Sequence, residues 1–205
     1  MKFKYLTLTA AIFGSLTLVA CGAGDKKAGG ESANVIKIAT ASPLSGGQAT
    51  AGKDNESGAR LAVEEINAAG GVDIGGKKYT VELVSEDDAG DPKQGGTVAQ
   101  KIADDKSISA VVGHYNSGVT IVAQPIYAKA NLVAFTVSTN PDVINKAAKS
   151  DSGMTMIYRL DGSDAMQGPA LATFAQKKGL KNIAILDDAT AYGKGLADEV
   201  EKKAK

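Results

Sequence analysis

The side chains able to do chemistry in this sequence are few, and they sit in short polar stretches that follow apolar runs. His114 is the one histidine, and it precedes Ser117 in the stretch Gly113-His114-Tyr115-Asn116-Ser117-Gly118. A hydroxyl beside an imidazole can be an activated nucleophile. No Gly-x-Ser-x-Gly elbow is present to expose one, so a packed or cleft-lining histidine is the simpler expectation. Ser117 opens a helix directly after a strand, where free N–H donors and the helix dipole favour an anion. The plainer alternative is an N-cap. Thr139 stands in Ser138-Thr139-Asn140-Pro141, where it is either a ligand contact or part of the turn before proline. Asp87, Asp88 and Asp91 could ligate a metal, although acidic residues in such loops more often cap helices or make turns. No Gly-x-Gly-x-x-Gly follows the first strand, and no phosphate-cradling loop ends in Gly-Lys-Ser/Thr. A nucleotide-dependent enzyme is therefore not expected, nor is any cofactor.

The elements that must position these groups begin only after a long N-terminal address. Lys2 and Lys4 precede an apolar stretch from Tyr5 to Leu18, so residues 1–20 read as a signal peptide. The stretch ends in Leu18-Val19-Ala20-Cys21, which resembles a bacterial lipobox and implies acylation of Cys21. An apolar run of that length is too short to span a bilayer, whereas acyl chains anchor a protein firmly. Cys21 is the sole cysteine, which excludes an internal disulfide and a thiolate zinc site. Residues 21–34 have the Gly-, Ala- and Lys-rich composition of a flexible tether. The 23 basic and 23 acidic residues of the 205 are mixed along the chain, so nucleic acid is not an expected partner.

From Val35 onward, apolar β-branched runs alternate with helical periodicity. Val35–Thr40, Tyr79–Val84, Ser109–Gly113, Leu132–Thr136, Thr155–Leu160 and Asn182–Leu186 read as strands. Between them, helical faces are expected at Ala59, Ala62, Val63 and Ile66, at Val98, Ala99, Ile102 and Ala103, and at Val119, Val122, Ala123 and Ile126. A further helix starts at Pro169 and carries Leu171, Phe174 and Ala175 on one face. Strand–helix alternation at this spacing implies right-handed βαβ units and an α/β fold with a doubly wound parallel sheet. Ligands of such sheets bind beyond the carboxyl ends of the strands, which directs attention to the loops around Ser45, Asp87, Ser117 and Ser138.

Six segments, INAAGG (66–71), EDDAGDPKQ (86–94), GHYNSG (113–118), STNP (138–141), RLDGSDAMQGP (159–169) and ILDDATAYGKG (185–195), resemble the leucine/isoleucine/valine-binding branch of the type I periplasmic binding proteins. That resemblance implies two lobes hinged over a small ligand, a branched-chain or related amino acid. It implies a lipoprotein held through Cys21 on the periplasmic side of the bacterial cell envelope, delivering its ligand to an ABC permease and ATPase. By position, Ser117 and Thr139 match residues that hold the ligand carboxylate through hydroxyl and backbone N–H groups. Thr139 and the Val137 carbonyl match groups that meet the α-ammonium, with Ser138 between them. Tyr192 matches an aromatic residue that closes from the second lobe. Residues 35–160 then correspond to the N-terminal ligand-binding lobe and 161–205 to the hinge and an incomplete second lobe.

Three departures from the family pattern stand out. Ala51 replaces an aromatic residue in the first loop, which leaves room in the cleft, and Gly90 with Asn116 stand where some relatives have a cysteine pair. The chain also stops at Lys205, where family members continue through the second lobe, so weak or undetectable binding is expected of these 205 residues by themselves. The alternative function is a lipid-anchored ligand-sensing receptor module for amides or small carboxylates.

Overall fold

Parallel strands need a pairing partner and a crossover connection, and the chain supplies both through most of its length. The computed structural model describes residues 34–205. The expected signal peptide, Cys21 and the expected tether up to residue 33 lie outside the described residues. The elements are β1 (Val35–Ser42), a single 3-10 turn (Gly46–Gln48), α1 (Ala49–Ala68), β2 (Val72–Ile74), β3 (Lys77–Asp87), α2 (Pro92–Asp104), β4 (Ile108–Gly113), α3 (Ser117–Lys129), β5 (Val133–Thr136), α4 (Asp142–Asn145), β6 (Ile157–Arg159), α5 (Asp164–Lys177) and α6 (Ala191–Ala204).

The sheet order is β2-β3-β1-β4-β5-β6. β1 pairs in parallel with both β3 and β4, β4 with β5, and β5 with β6. The fold is thus α/β around a parallel-dominated sheet, as the alternation implies. The chain first steps from β1 to β3 and then crosses back over β1 to β4, so strand order reverses there. Right-handed crossovers place α1 on one face and α2 with α3 on the other. The carboxyl ends of β1 and β4 flank the resulting crevice, the place where sheets of this kind receive ligands.

The core lies between the sheet and the α2–α3 layer. Ala39, Ala41, Val111 and Ala134 from the strands meet Ala99, Ile102, Ala123 and Tyr127 from the helices, all of them buried. Every residue of the expected α2 face, Val98, Ala99, Ile102 and Ala103, is buried. The two helices approach most closely at Gly95, where an added Cβ would stand 2.2 Å from Val119 Cγ1. A Cβ added at the neighbouring Gly96 would stand 3.2 Å from Val122 Cγ1, and Val122 is exposed and free to yield. On the other face, Asn67 clamps the end of α1 to β3. Its carbonyl accepts from Val81 N–H and its amide donates to the Val81 carbonyl, both at 2.8 Å.

Several expectations are corrected. α1 begins at Ala49, ten residues ahead of the first expected face position, so Ala51 lies on a helix and not in a loop. Ala62 and Ile66 on that helix are exposed. In α3 the buried stripe runs through Val119, Thr120, Ala123, Gln124 and Tyr127, and Val122 points out. The polar members of the stripe hide it from a count of apolar residues. α5 starts at Asp164, capped by Ser163, so Pro169 lies inside the helix. The face of α5 that packs is built of small residues, Gly168, Ala172 and Ala175, while Leu171 and Phe174 are exposed. Asn182–Leu186 forms no strand, because no described strand lies alongside to pair with it, and Leu186 is almost fully exposed. The antiparallel hairpin β2–β3 was not expected. Its Gly75-Gly76 turn has φ of +61° and +81°, and Asp73 accepts from Gly76 N–H.

The two glycines of α2 share one helix environment, so their replacement separates packing from propensity. Gly95→Ala is expected to destabilise by about 1–3 kcal/mol through overpacking against Val119. Gly96→Ala is expected to be neutral or stabilising by up to about 1 kcal/mol, the difference in helix propensity. Urea unfolding of both variants checks this, and equal losses at the two positions would contradict the packing argument.

Candidate functional site

At the crevice between β1 and β4 lies a cavity of about 400 Å³. Its lining includes Gln48 from the turn before α1, Asn116 and Ser117 at the start of α3, and Val137, Ser138 and Thr139 after β5. Asp161 and Gln167 close it from the α5 side, and Asp188, Thr190 and Tyr192 from the α6 side. The fold therefore gathers Ser117, Val137, Ser138, Thr139 and Tyr192 around one space.

Ser117 sits there because β4 ends at Gly113 and α3 starts four residues later. Gly113 has φ +143°, and a Cβ on it would stand 2.2 Å from the Ala41 carbonyl oxygen, so no larger residue fits. Asn116 is the N-cap of α3 but makes no side-chain cap bond. Its amide instead donates to Gln48 Oε1 at 2.6 Å, across the crevice. The positive end of α3 is thus left without a side-chain cap beside the cavity that Asn116 and Ser117 line. Ser117 Oγ is buried and accepts from Asn140 N–H at 3.4 Å.

Behind this rim is a network of buried hydroxyls. The His114 carbonyl accepts from Thr136 Oγ1 at 2.7 Å, Ser138 Oγ at 3.1 Å and Thr120 Oγ1 at 3.3 Å. Ser138 Oγ also lies 2.5 Å from Thr120 Oγ1 and 3.1 Å from the Tyr115 carbonyl, which shares its one proton with the His114 carbonyl. Its hydroxyl is engaged inward, so Ser138 does not present it to the cavity. The His114 ring is fully buried between Asp88 Oδ2, 2.7 Å from Nδ1, and the Tyr127 hydroxyl, 2.9 Å from Nε2. In either protonation state both ring nitrogens are satisfied. Burial, reinforced by the charges of Asp88 and Glu86, pushes the Tyr127 phenol far up, so it keeps its proton. His114 is a packed residue that holds the β3–α2 loop, the β4–α3 loop and α3 together.

The three aspartates at the end of β3 and in the β3–α2 loop serve turns and caps. Asp87 Oδ1 accepts from Leu44, Ser45 and Ala89 N–H groups. Burial works against its charge, but those donors and the Ser45 hydroxyl outweigh it and hold the carboxyl below the usual range. Asp88 Oδ1 accepts from Gly90 N–H at 2.9 Å, and Asp91 caps α2 by accepting from Gln94 N–H at 2.8 Å.

The wall from α6 is joined to the strand-end loops through Asn140. Its amide donates to the Ala191 carbonyl at 2.7 Å, and Gly195 passes so near that a Cβ would stand 2.3 Å from Asn140 Nδ2. Thr190 caps α6, accepting from Gly193 N–H. The Thr190 hydroxyl and then its N–H hold the Asp188 carboxyl below its usual range, which keeps it charged at the cavity. Gln48, Asp161, Gln167 and Asp188 escaped sequence reasoning. Asp161 and Asp188 each follow an apolar stretch at a turn, which was the available signal. Gln48 had none, because the early start of α1 was not visible.

Residues 35–205 match the family described as Periplasmic binding protein. The chain is 40% identical over 172 residues to the leucine-, isoleucine-, valine-, threonine- and alanine-binding protein of Pseudomonas aeruginosa, covering 83% of this chain and 43% of that one. It thus spans less than half the length of that relative. An ABC transporter substrate-binding protein of Desulfitobacterium hafniense, solved in complex with Leu, superposes with a TM-score of 0.65 at 34% identity, covering 83% of this chain and 47% of the other. A branched-chain amino acid transporter substrate-binding protein of Streptococcus pneumoniae, solved with isoleucine, gives a TM-score of 0.69 at 27% identity over the same shares.

The Asp88–His114 pair predicts an asymmetric response to mutation. Asp88→Ala strands a buried imidazole and is expected to cost about 3 kcal/mol. Asp88→Asn keeps an acceptor for the ring N–H but gives up the bond from Gly90 N–H, and is expected to cost about 1–2 kcal/mol. Urea denaturation measures both, and an equal cost would show that the bond to Nδ1 is not what matters.

Proposed function

We propose, from the premise that the chain belongs to the periplasmic binding protein family, that it is the recognition component of an ABC importer and holds a free α-amino acid, branched-chain or related, in the cavity at the β1–β4 crevice. The observation that carries the reading is the polarity of that cavity. The open end of α3 with Ser117 favours an anion, while Asp161 and Asp188 bring carboxylates to the same space. A zwitterion satisfies both. The ligand carboxylate lies at Ser117 and the α3 N–H groups, and its ammonium meets Thr139 and the Val137 carbonyl. Tyr192 covers the side chain from α6, so the cavity forms part of a cleft between two lobes. A volume of about 400 Å³ fits a ligand of this size. The name of the Pseudomonas aeruginosa relative and the Leu complex of the Desulfitobacterium hafniense protein support the ligand class.

The address at the N-terminus belongs to the same reading. Cleavage before Cys21 and acylation of its thiol place the protein on the outer side of the cytoplasmic membrane or beyond it, where it hands ligand to a permease coupled to an ATPase. No helix among the described residues is long and apolar enough to cross a membrane.

Calorimetry with leucine, isoleucine, valine, threonine and alanine, on the protein as its complete gene encodes it, tests the ligand class. At least one is expected to bind, and Thr139→Ala is expected to weaken that binding by about 1–3 kcal/mol, the worth of a hydrogen bond to a charged group. An unchanged dissociation constant removes Thr139 from the site. For the anchor, Cys21→Ser is expected to move the protein from the membrane pellet to the soluble fraction. Continued pelleting would show that acylation of Cys21 is not what holds it.

A further inference from the structure

Asn140 stands where two walls of the cavity meet, yet it does not line the cavity itself. It is buried, and the two ends of its side-chain amide are engaged in different directions. Oδ1 accepts from Asp142 N–H at 2.8 Å, which only an oxygen can do, so the amide nitrogen is the end that points at α6. There it donates to the Ala191 carbonyl at 2.7 Å. Among the described residues this is the one side-chain hydrogen bond between α6 and the loops that follow β4 and β5. Gly195 lies four residues beyond Ala191, next to it on the helix surface. Its missing side chain is what admits the amide, since a Cβ there would stand 2.3 Å from Asn140 Nδ2. The first turns of α3 and α6 lie side by side at the same place, where a Cβ on Gly118 would stand 3.6 Å from Ala191 Cβ. On its other flank, Asn140 N–H donates to Ser117 Oγ at 3.4 Å, and its carbonyl accepts from Arg159 Nη1 at 3.3 Å. One buried residue thus links the serine at the start of α3, the end of β6 and the first turn of α6. Thr190 and Tyr192, which line the cavity, flank Ala191 in the chain.

We propose that Asn140 is a positioning residue for the α6 wall. By holding the Ala191 carbonyl it keeps Thr190 and Tyr192 opposite Ser117, and it sets the affinity for every ligand of the cavity by one common factor. It takes no part in choosing among ligands. The inference rests on the amino-acid reading above, in which Tyr192 covers the bound molecule, and adds to it a contact of the protein with itself that the ligand does not make. A wall that holds its place only part of the time lowers the apparent affinity by that fraction, whatever the ligand. Loss of one neutral hydrogen bond changes such a fraction by about three- to tenfold. Because Asn140 stays outside the cavity, that factor is the same for each amino acid, and it appears in the rate at which the ligand leaves. Gly195 belongs to the same device. It makes no bond of its own there, but any side chain at that position displaces the amide from the Ala191 carbonyl.

The test is calorimetry with stopped-flow dissociation, on the protein as its complete gene encodes it and with the amino acids of the panel above. Asn140→Ala is expected to raise every measurable dissociation constant by the same factor, about three- to tenfold, through faster dissociation. Gly195→Ala attacks the same bond from the other side and leaves the Asn140 turn intact. Alanine also favours the helix, so a weaker complex of that variant does not come from a damaged α6. Its expected loss of affinity is again about three- to tenfold and uniform. Combined with Asn140→Ala, the Gly195→Ala change is expected to add nothing, because the displaced amide is no longer there. Unchanged constants in Gly195→Ala, losses that differ from one amino acid to another, or additive losses in the double variant overturn the proposal. If Asn140→Ala does not fold, Gly195→Ala decides by itself. Should the native protein bind none of the amino acids, the amino-acid reading falls and this inference with it; should it bind one while neither variant weakens it, only the inference falls.

Discussion

Three hydroxyls, from Thr120, Thr136 and Ser138, converge on the carbonyl oxygen of His114. A carbonyl has two lone pairs, so three donors share them, and the group is satisfied only while β4, β5 and α3 keep their mutual positions. All four residues are buried, so separation of these elements would leave polar atoms without water to replace the lost bonds. This convergence fixes the β4–α3 loop against the end of β5. Ser117 lies three residues after that carbonyl, and Thr139 directly follows Ser138. The geometry of the cavity rim is therefore set largely one layer beneath it, by groups of which only Ser138 also lines it.

How much of this could be read from the sequence depends on what each signal measures. The periodicity of apolar residues measures burial against apolar surface, and it identified α2, whose face at Val98, Ala99, Ile102 and Ala103 meets only the sheet and α3. It misplaced the face of α3, since the polar Thr120, which serves the hydroxyl network, and Gln124 occupy buried positions. It failed for α5 because that helix packs through Gly168, at a spacing where a Cβ would stand 2.6 Å from Glu199 Cβ, and close approach favours small residues over large ones. Asn182–Leu186 has the β-branched character of a strand, but strand formation requires a partner edge, which no local pattern reports.

For the site, resemblance to a family brought forward Ser117, Val137, Ser138, Thr139 and Tyr192, and the fold collects these around one cavity. The residues it did not bring forward are those whose role depends on three-dimensional context. Asp88 and Asp164 both carry carboxyl groups in polar loop segments, and their sequence neighbourhoods look alike. One is satisfied by an imidazole and a backbone N–H, and the other is enclosed without a bond. Only the packing around them separates a carboxylate bonded at both oxygens from one enclosed without a partner.

His114 also has a practical value. It is the single histidine in the sequence, its ring is closed off from solvent, and both nitrogens are engaged. A bonded, enclosed imidazole N–H exchanges slowly and resonates well outside the crowded amide region, so a nitrogen-15 spectrum of this protein would carry one isolated imidazole signal. That signal originates three residues from the start of α3, which makes it an intrinsic reporter for whatever occupies the crevice and needs no label or engineered probe.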